Sequence, residues 1–272
     1  MDVMSDAFQR VSDSMAELVE SFYPQAIVGN TTVGFTVYTL WLLIALTLCV
    51  IAVFAYKRQV SADLVPHGVF ANGIEYIVDF VRNDVCKGTL GPTWREHFPF
   101  LATVFFFVMF ANYIGMLPTW KPGTGSTGIT GAVAVMSFCY FVYVGMRKKG
   151  VFGYVKSLAP AGLPVWVTPI VWLIEVFSTF LRIITLAVRL FCNMFAGHVV
   201  MGVFAIMATT FVQPLLNGAI NAATIGTGAM SILWMVLLIL IYAVELMIAF
   251  IQAYIFTLLS AVYIQLAESE AH

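Results

Sequence analysis

Two apolar stretches in the last third of the chain, residues 166–212 and 229–267, run on without a polar loop inside them. At 1.5 Å per helical residue, roughly 45 and 38 residues make rods of about 68 and 58 Å, about twice the hydrocarbon thickness of a bilayer. Helices of that length must lie strongly tilted, bend or break. Gly197 and Gly202, the only glycines of the first stretch, mark where it can bend, and Gln213-Pro214 to Gly228 joins the two into a long hairpin. The composition agrees with lipid as solvent: 61% of residues are hydrophobic and 10% charged, where an average soluble domain has about 25% charged residues.

Ahead of the hairpin the pattern is of ordinary spans and loops. Residues 33–56 form an uncharged run closed by Lys57 and Arg58, long enough for one crossing. Over 64–86, Phe70, Ile74, Ile77, Val81 and Val85 fall on one face and Glu75, Asp79 and Arg82 on the other, which predicts an interfacial helix. Two further spans, 98–118 and 129–146, are joined by a turn-forming connection with Pro118, Pro122, Gly123, Gly125 and Gly128. Residues 1–32 read as an outer-side amphipathic segment, with Met4, Phe8, Val11, Met15, Leu18 and Phe22 on one helical stripe. The fold class expected is therefore an all-α integral membrane protein, with a membrane domain over 33–272.

Nine of the thirteen Lys and Arg lie in 57–97 and 147–165, so the positive-inside rule places those loops in the cytoplasm or matrix, with the N-terminus outside and the C-terminus inside. Net charge is −1, which offers no basic field for nucleic acid. Cys49, Cys86, Cys139 and Cys192 stand far apart, without metal-ligand or redox spacing, and read as packing residues. Neither a metal nor a cofactor is implied. No phosphate-binding loop, nucleophile elbow or zinc-protease motif occurs, so ATP chemistry is not sited in this chain.

The informative residues are the ionisable ones that fall within the two long stretches: Glu175, Arg182 and Arg189 in the first, Glu245 in the second, and His198. A charge at the membrane centre costs about 2.5–3.5 kcal/mol on insertion scales, so function is the default reading, against a structural ion pair for Glu175 with Arg182. Steps of seven put Glu175, Arg182 and Arg189 on nearly one stripe, with Asn193 one turn on. His198 turns to the other side about 13.5 Å further along, and Glu245 and Gln252 share a face of the last helix about 10.5 Å apart. Two polar paths on different faces meet near a single arginine.

The run from Arg189 to His198 (RLFCNMFAGH), followed by the run from Glu245 to Phe256 (ELMIAFIQAYIF), resembles the two signature segments of the F-type ATP synthase a subunit. Asn112 to Pro118 (NYIGMLP) is similar to a less distinctive family motif at the end of an earlier span. The resemblance runs from about residue 33 to the end; the first thirty residues carry none of it. It implies that Arg189 is the arginine facing the rotating c-ring, that Gln252 lies beside it, and that His198 and Glu245 are the outer half-channel pair. Some members carry an acid at the earlier of these two positions and a histidine at the later; here the two types are exchanged. Cys192 stands where the family often has Gly, and Ile183-Ile184 replaces a commonly proline-containing turn.

The implied mechanism is proton transfer through two offset half-channels, with a carboxylate on each c subunit carrying the proton between them. Protons enter past His198 and Glu245 and leave inward near Glu175. A histidine near pKa 6.5 and a desolvated glutamate suit a relay near neutral pH, while an arginine with a pKa above about 12 holds its charge and passes no proton. Partners implied are the c-ring, the peripheral stalk b subunits, other ATP synthase subunits and membrane lipid. The expected location is the bacterial plasma membrane, with the mitochondrial inner membrane as the alternative. A different class, a proton-coupled secondary transporter of an anionic substrate, would use Arg189 for the anion; no internal repeat of the transporter kind is visible.

Overall fold

In the computed structural model the described residues are 2–21, 26–29, 34–62, 69–116, 123–157, 166–216 and 222–269. Helix α1 covers Asp2–Ser21, and two short antiparallel strands follow, β1 Ala26–Gly29 and β2 Gly34–Thr36. This small ribbon is the one departure from an all-α chain among the described residues. Helix α2 is Val37–Ala62 and α3 is Val69–Phe80. The amphipathic stretch read over 64–86 thus starts as α3 and continues as a π-helical segment, Val81–Lys87, which turns Val81, Val85 and Cys86 into the core.

A single helical turn, α4 (Gly88–Leu90), and a 3₁₀ turn lead into α5, Trp94–Gly115. Gly91 has φ 59°, a left-handed conformation that suits a residue without Cβ, and it redirects the chain there. Helix α6 spans Thr127–Lys149, so Gly128, read as part of the connecting turn, lies in its first turn; residues 117–122 of that connection are outside the described residues. Arg147, Lys148 and Lys149 occupy its last turn, where the helix dipole favours cations. Gly150, φ 74°, ends it and lets the short α7 (Val151–Ser157) fold back. The Tyr154 ring then fills a gap over Gly145 that a side chain would close.

The two long helices are α8, Thr168–Leu216, 49 residues, and α9, Ala222–Glu268, 47 residues. Most of the Gln213–Gly228 stretch, expected as a connection, is therefore helical, leaving only 217–221 outside the described residues. In lipid, backbone groups must be paired within the segment, which favours extending a helix over opening a loop. The glycines read as points where the helix can bend also serve as contact notches: the Glu245 carboxylate lies against Gly197, and the Leu18 methyls against Gly202.

Five stretches among the described residues are long and apolar enough to cross a membrane: Val37–Phe54, Ala71–Gly115, Thr127–Lys149, Thr168–Gln213 and Gly228–Glu268. The core lies where α5, α6 and α9 meet the π segment, around Phe105, Val108, Phe256 and Ile264. Phe105 and Phe250 meet edge to face at 5.8 Å across the α5–α9 seam, and the Ser137 and Ser260 hydroxyls pair at 2.8 Å between α6 and α9. Cys49 and Cys86 are buried as packing residues, whereas Cys139 and Cys192 are exposed, which corrects the packing role expected for those two.

Candidate functional site: a polar seam between two long helices

Helices α8 and α9 run antiparallel, with Ser231 donating to the Ala208 carbonyl at 2.6 Å near one end and Arg182 lying over the Tyr263 ring at 5.3 Å near the other. The Glu245 carboxylate sits between these contacts, against the bare Cα of Gly197; a methyl there would overlap the carboxylate carbon at 2.6 Å. The next residue, His198, turns toward α5. Its Nε2 is 2.7 Å from the Gly115 carbonyl and its Nδ1 3.0 Å from the Met194 carbonyl. Both partners are acceptors, so a singly protonated ring satisfies one of them and an imidazolium satisfies both. The structure thus brings Glu245 beside the residue adjacent to His198, while the imidazole itself bonds to backbone.

Arg189 lies on α8 between the Glu245 and Tyr263 contacts, and Gln252 lies between them on α9. The Arg189 side chain is exposed, at the edge of an open face of α8 whose apolar stripe, roughly a third of a turn round the helix, includes Phe177, Leu181, Ile184, Val188 and Phe195, with exposed Cys192 between. Gln252 is buried, and neither its Nε2 nor the buried Nδ2 of Asn193 has a hydrogen-bond partner among the described residues. Buried amides without partners are rare in native proteins and mark places served by water or by another subunit.

Toward the opposite end from His198, Arg182 Nη2 donates to Glu175 Oε1 at 2.8 Å. The pair opens on a cavity of about 310 Å³ whose lining includes Lys149, Tyr154, Thr179 and Tyr263. Buried Thr179 Oγ1 has no partner there. Burial pushes the Tyr154 phenol above its ordinary range, with the Arg182 cation acting the other way, so Tyr154 stays a neutral donor. Asn112 is fully buried: it accepts from Thr124 Oγ1 at 2.8 Å and donates to the Ala249 carbonyl at 3.5 Å, pinning α9 to α5 at the level of Glu245.

One cluster escapes sequence reasoning. Buried His97 on α5 places Nδ1 3.1 Å from the Tyr140 hydroxyl and Nε2 3.3 Å from Glu268 Oε1, while Thr93 donates to Glu268 Oε2 at 2.9 Å. His97 and Glu268 are 171 residues apart, so no local spacing announces the pair. Among the described residues no group of His, Cys, Asp and Glu is arranged to hold a metal ion.

An arginine on the open face of a long helical hairpin, with half-buried titratable groups in the seam on either side, defines a multi-pass membrane protein built to handle charge within the bilayer. Residues 37–265 match the family described as ATP synthase A chain. The chain is 35% identical over 254 residues to ATP synthase subunit a of Chlorobium phaeobacteroides, covering 92% of this chain and 70% of that one. It is 32% identical over 250 residues to ATP synthase subunit a of Myxococcus xanthus, covering 92% and 78%, and 32% identical over 254 residues to that of Rhodopseudomonas palustris strain BisA53, covering 93% and 96%. The chain belongs to the ATP synthase A chain family. It is a stator subunit of the membrane sector and a proton-translocating component of the ATP synthase complex; the secondary-transporter alternative finds no support.

Proposed function

We propose that this chain forms two proton half-channels against a c-ring in a bacterial plasma membrane, with Arg189 separating them. The carrying observation is the exposed Arg189 at the edge of the apolar open stripe of α8. A guanidinium cannot be neutralised at physiological pH, so a cation on a lipid-depth apolar face calls for an anion brought by a partner of matching apolar character. A rotor carboxylate supplies that anion, and the c-ring covers the stripe. Only 11% and 6% of the apolar windows in α8 and α9 are buried within the chain, against 50% for Ala71–Gly115, which supports a partner on this face.

Protons enter along the His198 and Glu245 side and neutralise a rotor carboxylate. They leave past Gln252 and Asn193 into the cavity held by Glu175 and Arg182 after the ring has turned. His198 accepts a proton at one ring nitrogen while the other stays bonded to a carbonyl, so the ring can pass a proton without losing its position. Arg189 stabilises the deprotonated carboxylate as it passes and does not carry the proton. The peripheral stalk b subunits hold the chain against the torque, and the polypeptide itself binds no nucleotide.

The test is Arg189→Lys in the assembled complex, read as ATP-driven acidification of inverted vesicles. Lysine keeps the charge, but a buried ammonium loses its proton readily and lacks the planar five-donor fork. The expected result is loss of coupled pumping with assembly intact; near-normal pumping overturns the role.

A further inference from the structure

Helix α1 lies outside the family match, which begins at residue 37, yet it is docked on α8. Arg10 Nη1 donates to Gln213 Oε1 at 3.4 Å, Val11 is buried, and the Leu18 methyls lie 2.7 and 2.8 Å from where a Cβ on Gly202 would stand. Going from Arg10 to Leu18, α1 therefore travels back along α8 from Gln213 toward Gly202. At 100° per residue His198, Gly202 and Gln213 fall within about 60° of one another, so α1 covers the continuation of the stripe on which His198 stands. The Gly202 notch that Leu18 occupies is one helical turn from His198 along α8. Ser14 and Met15 are half-buried on the α8 side, while Asp13, Glu17 and Glu20 are exposed on the other.

We propose that α1 is the outer wall of the proton entry route, with Leu18 as the residue that seals it at the Gly202 notch. An apolar face packed along α8 excludes water from that side of His198, and the acidic face keeps the helix at the aqueous boundary rather than sinking it into lipid. Protons then reach His198 past the edge of α1 instead of along the whole exposed length of α8. Gly202 serves this arrangement because any side chain there displaces Leu18. The inference rests on the reading of His198 as part of the entry route.

The experiment uses the assembled complex in sealed vesicles, with the four native cysteines replaced by alanine and a single cysteine introduced by His198→Cys. An impermeant methanethiosulfonate is applied from the side that α1 occupies, and the labelling rate is compared for the intact chain, Leu18→Met, Leu18→Ala and deletion of residues 2–21. A companion series carries Glu175→Cys instead. The wall requires the rate at position 198 to rise several-fold in Leu18→Ala and further in the deletion, with Leu18→Met near the intact rate and position 175 unchanged. Equal labelling of position 198 with and without α1 overturns the wall and leaves the entry route standing. No labelling of position 198 in any form overturns both, and a parallel rise at position 175 overturns the wall by showing general loosening.

Discussion

Position 197 has no room for a methyl group, because the Glu245 carboxylate occupies that space. A glycine in a helix interior costs about 1 kcal/mol relative to alanine, so the usual expectation is that Gly→Ala stabilises. Gly197→Ala must push the carboxylate off its seat, a cheap move for the end of a flexible side chain, so its effect falls on function: it separates the acid from the neighbourhood of His198. We expect assembled complexes with ATP-driven acidification cut several-fold, and partial recovery when Glu245→Asp shortens the acid in the same chain. Normal pumping by Gly197→Ala would show that the position of the carboxylate does not matter. In sequence Gly197 reads as a bend point, since a missing side chain looks the same whether it frees the backbone or admits a neighbour; only the residue opposite decides.

At the scale of elements, the C-terminal end of α9 is held by a buried cluster rather than by apolar packing alone. Glu268 accepts from Thr93 and pairs with His97, and Lys148 stands 3.9 Å from it. Removing one partner of a buried hydrogen-bonded set costs about 1–3 kcal/mol because the other is left unsatisfied. Glu268→Ala should therefore accelerate amide hydrogen exchange over the last turns of α9, with His97→Phe adding less than its separate effect when the two are combined. Additive effects would mean that the two side chains act independently. The long helices themselves were legible from uninterrupted apolar length, and the polar stripe of Glu175, Arg182 and Arg189 from steps of seven. The His97 cluster and the seating of Leu18 on Gly202 were not, because their partners come from distant parts of the chain and carry no shared period. The helical reach of α8 to Leu216 was missed for a different reason: Gln213-Pro214 is a good loop signal in water, where a broken helix can hydrogen-bond to solvent, and a weak one in lipid.

For the whole molecule, the uneven distribution of basic residues predicts which way the bundle faces. Lys148 lies in the basic end of α6 and Lys121 in the opposite connection, so single cysteines from Lys148→Cys and Lys121→Cys should react with an impermeant thiol reagent from opposite sides of sealed vesicles. Labelling from one side would contradict the orientation. The 49 residues of α8 make about 73 Å of helix against a hydrocarbon layer of about 30 Å, so an unbent α8 that keeps its length in lipid would stand far more obliquely than the average tilt of about 20°. Hydrophobic mismatch therefore acts on it in an unusual way. A steeply inclined helix meets a thicker bilayer by standing up a few degrees, without exposing apolar side chains, and a thinner one by lying down. The distance between Glu175 and His198 measured in the membrane plane shrinks in the first case and grows in the second. Lipid chain length thereby becomes a mechanical variable of the subunit, setting how far apart the two polar ends of the seam lie in the membrane plane.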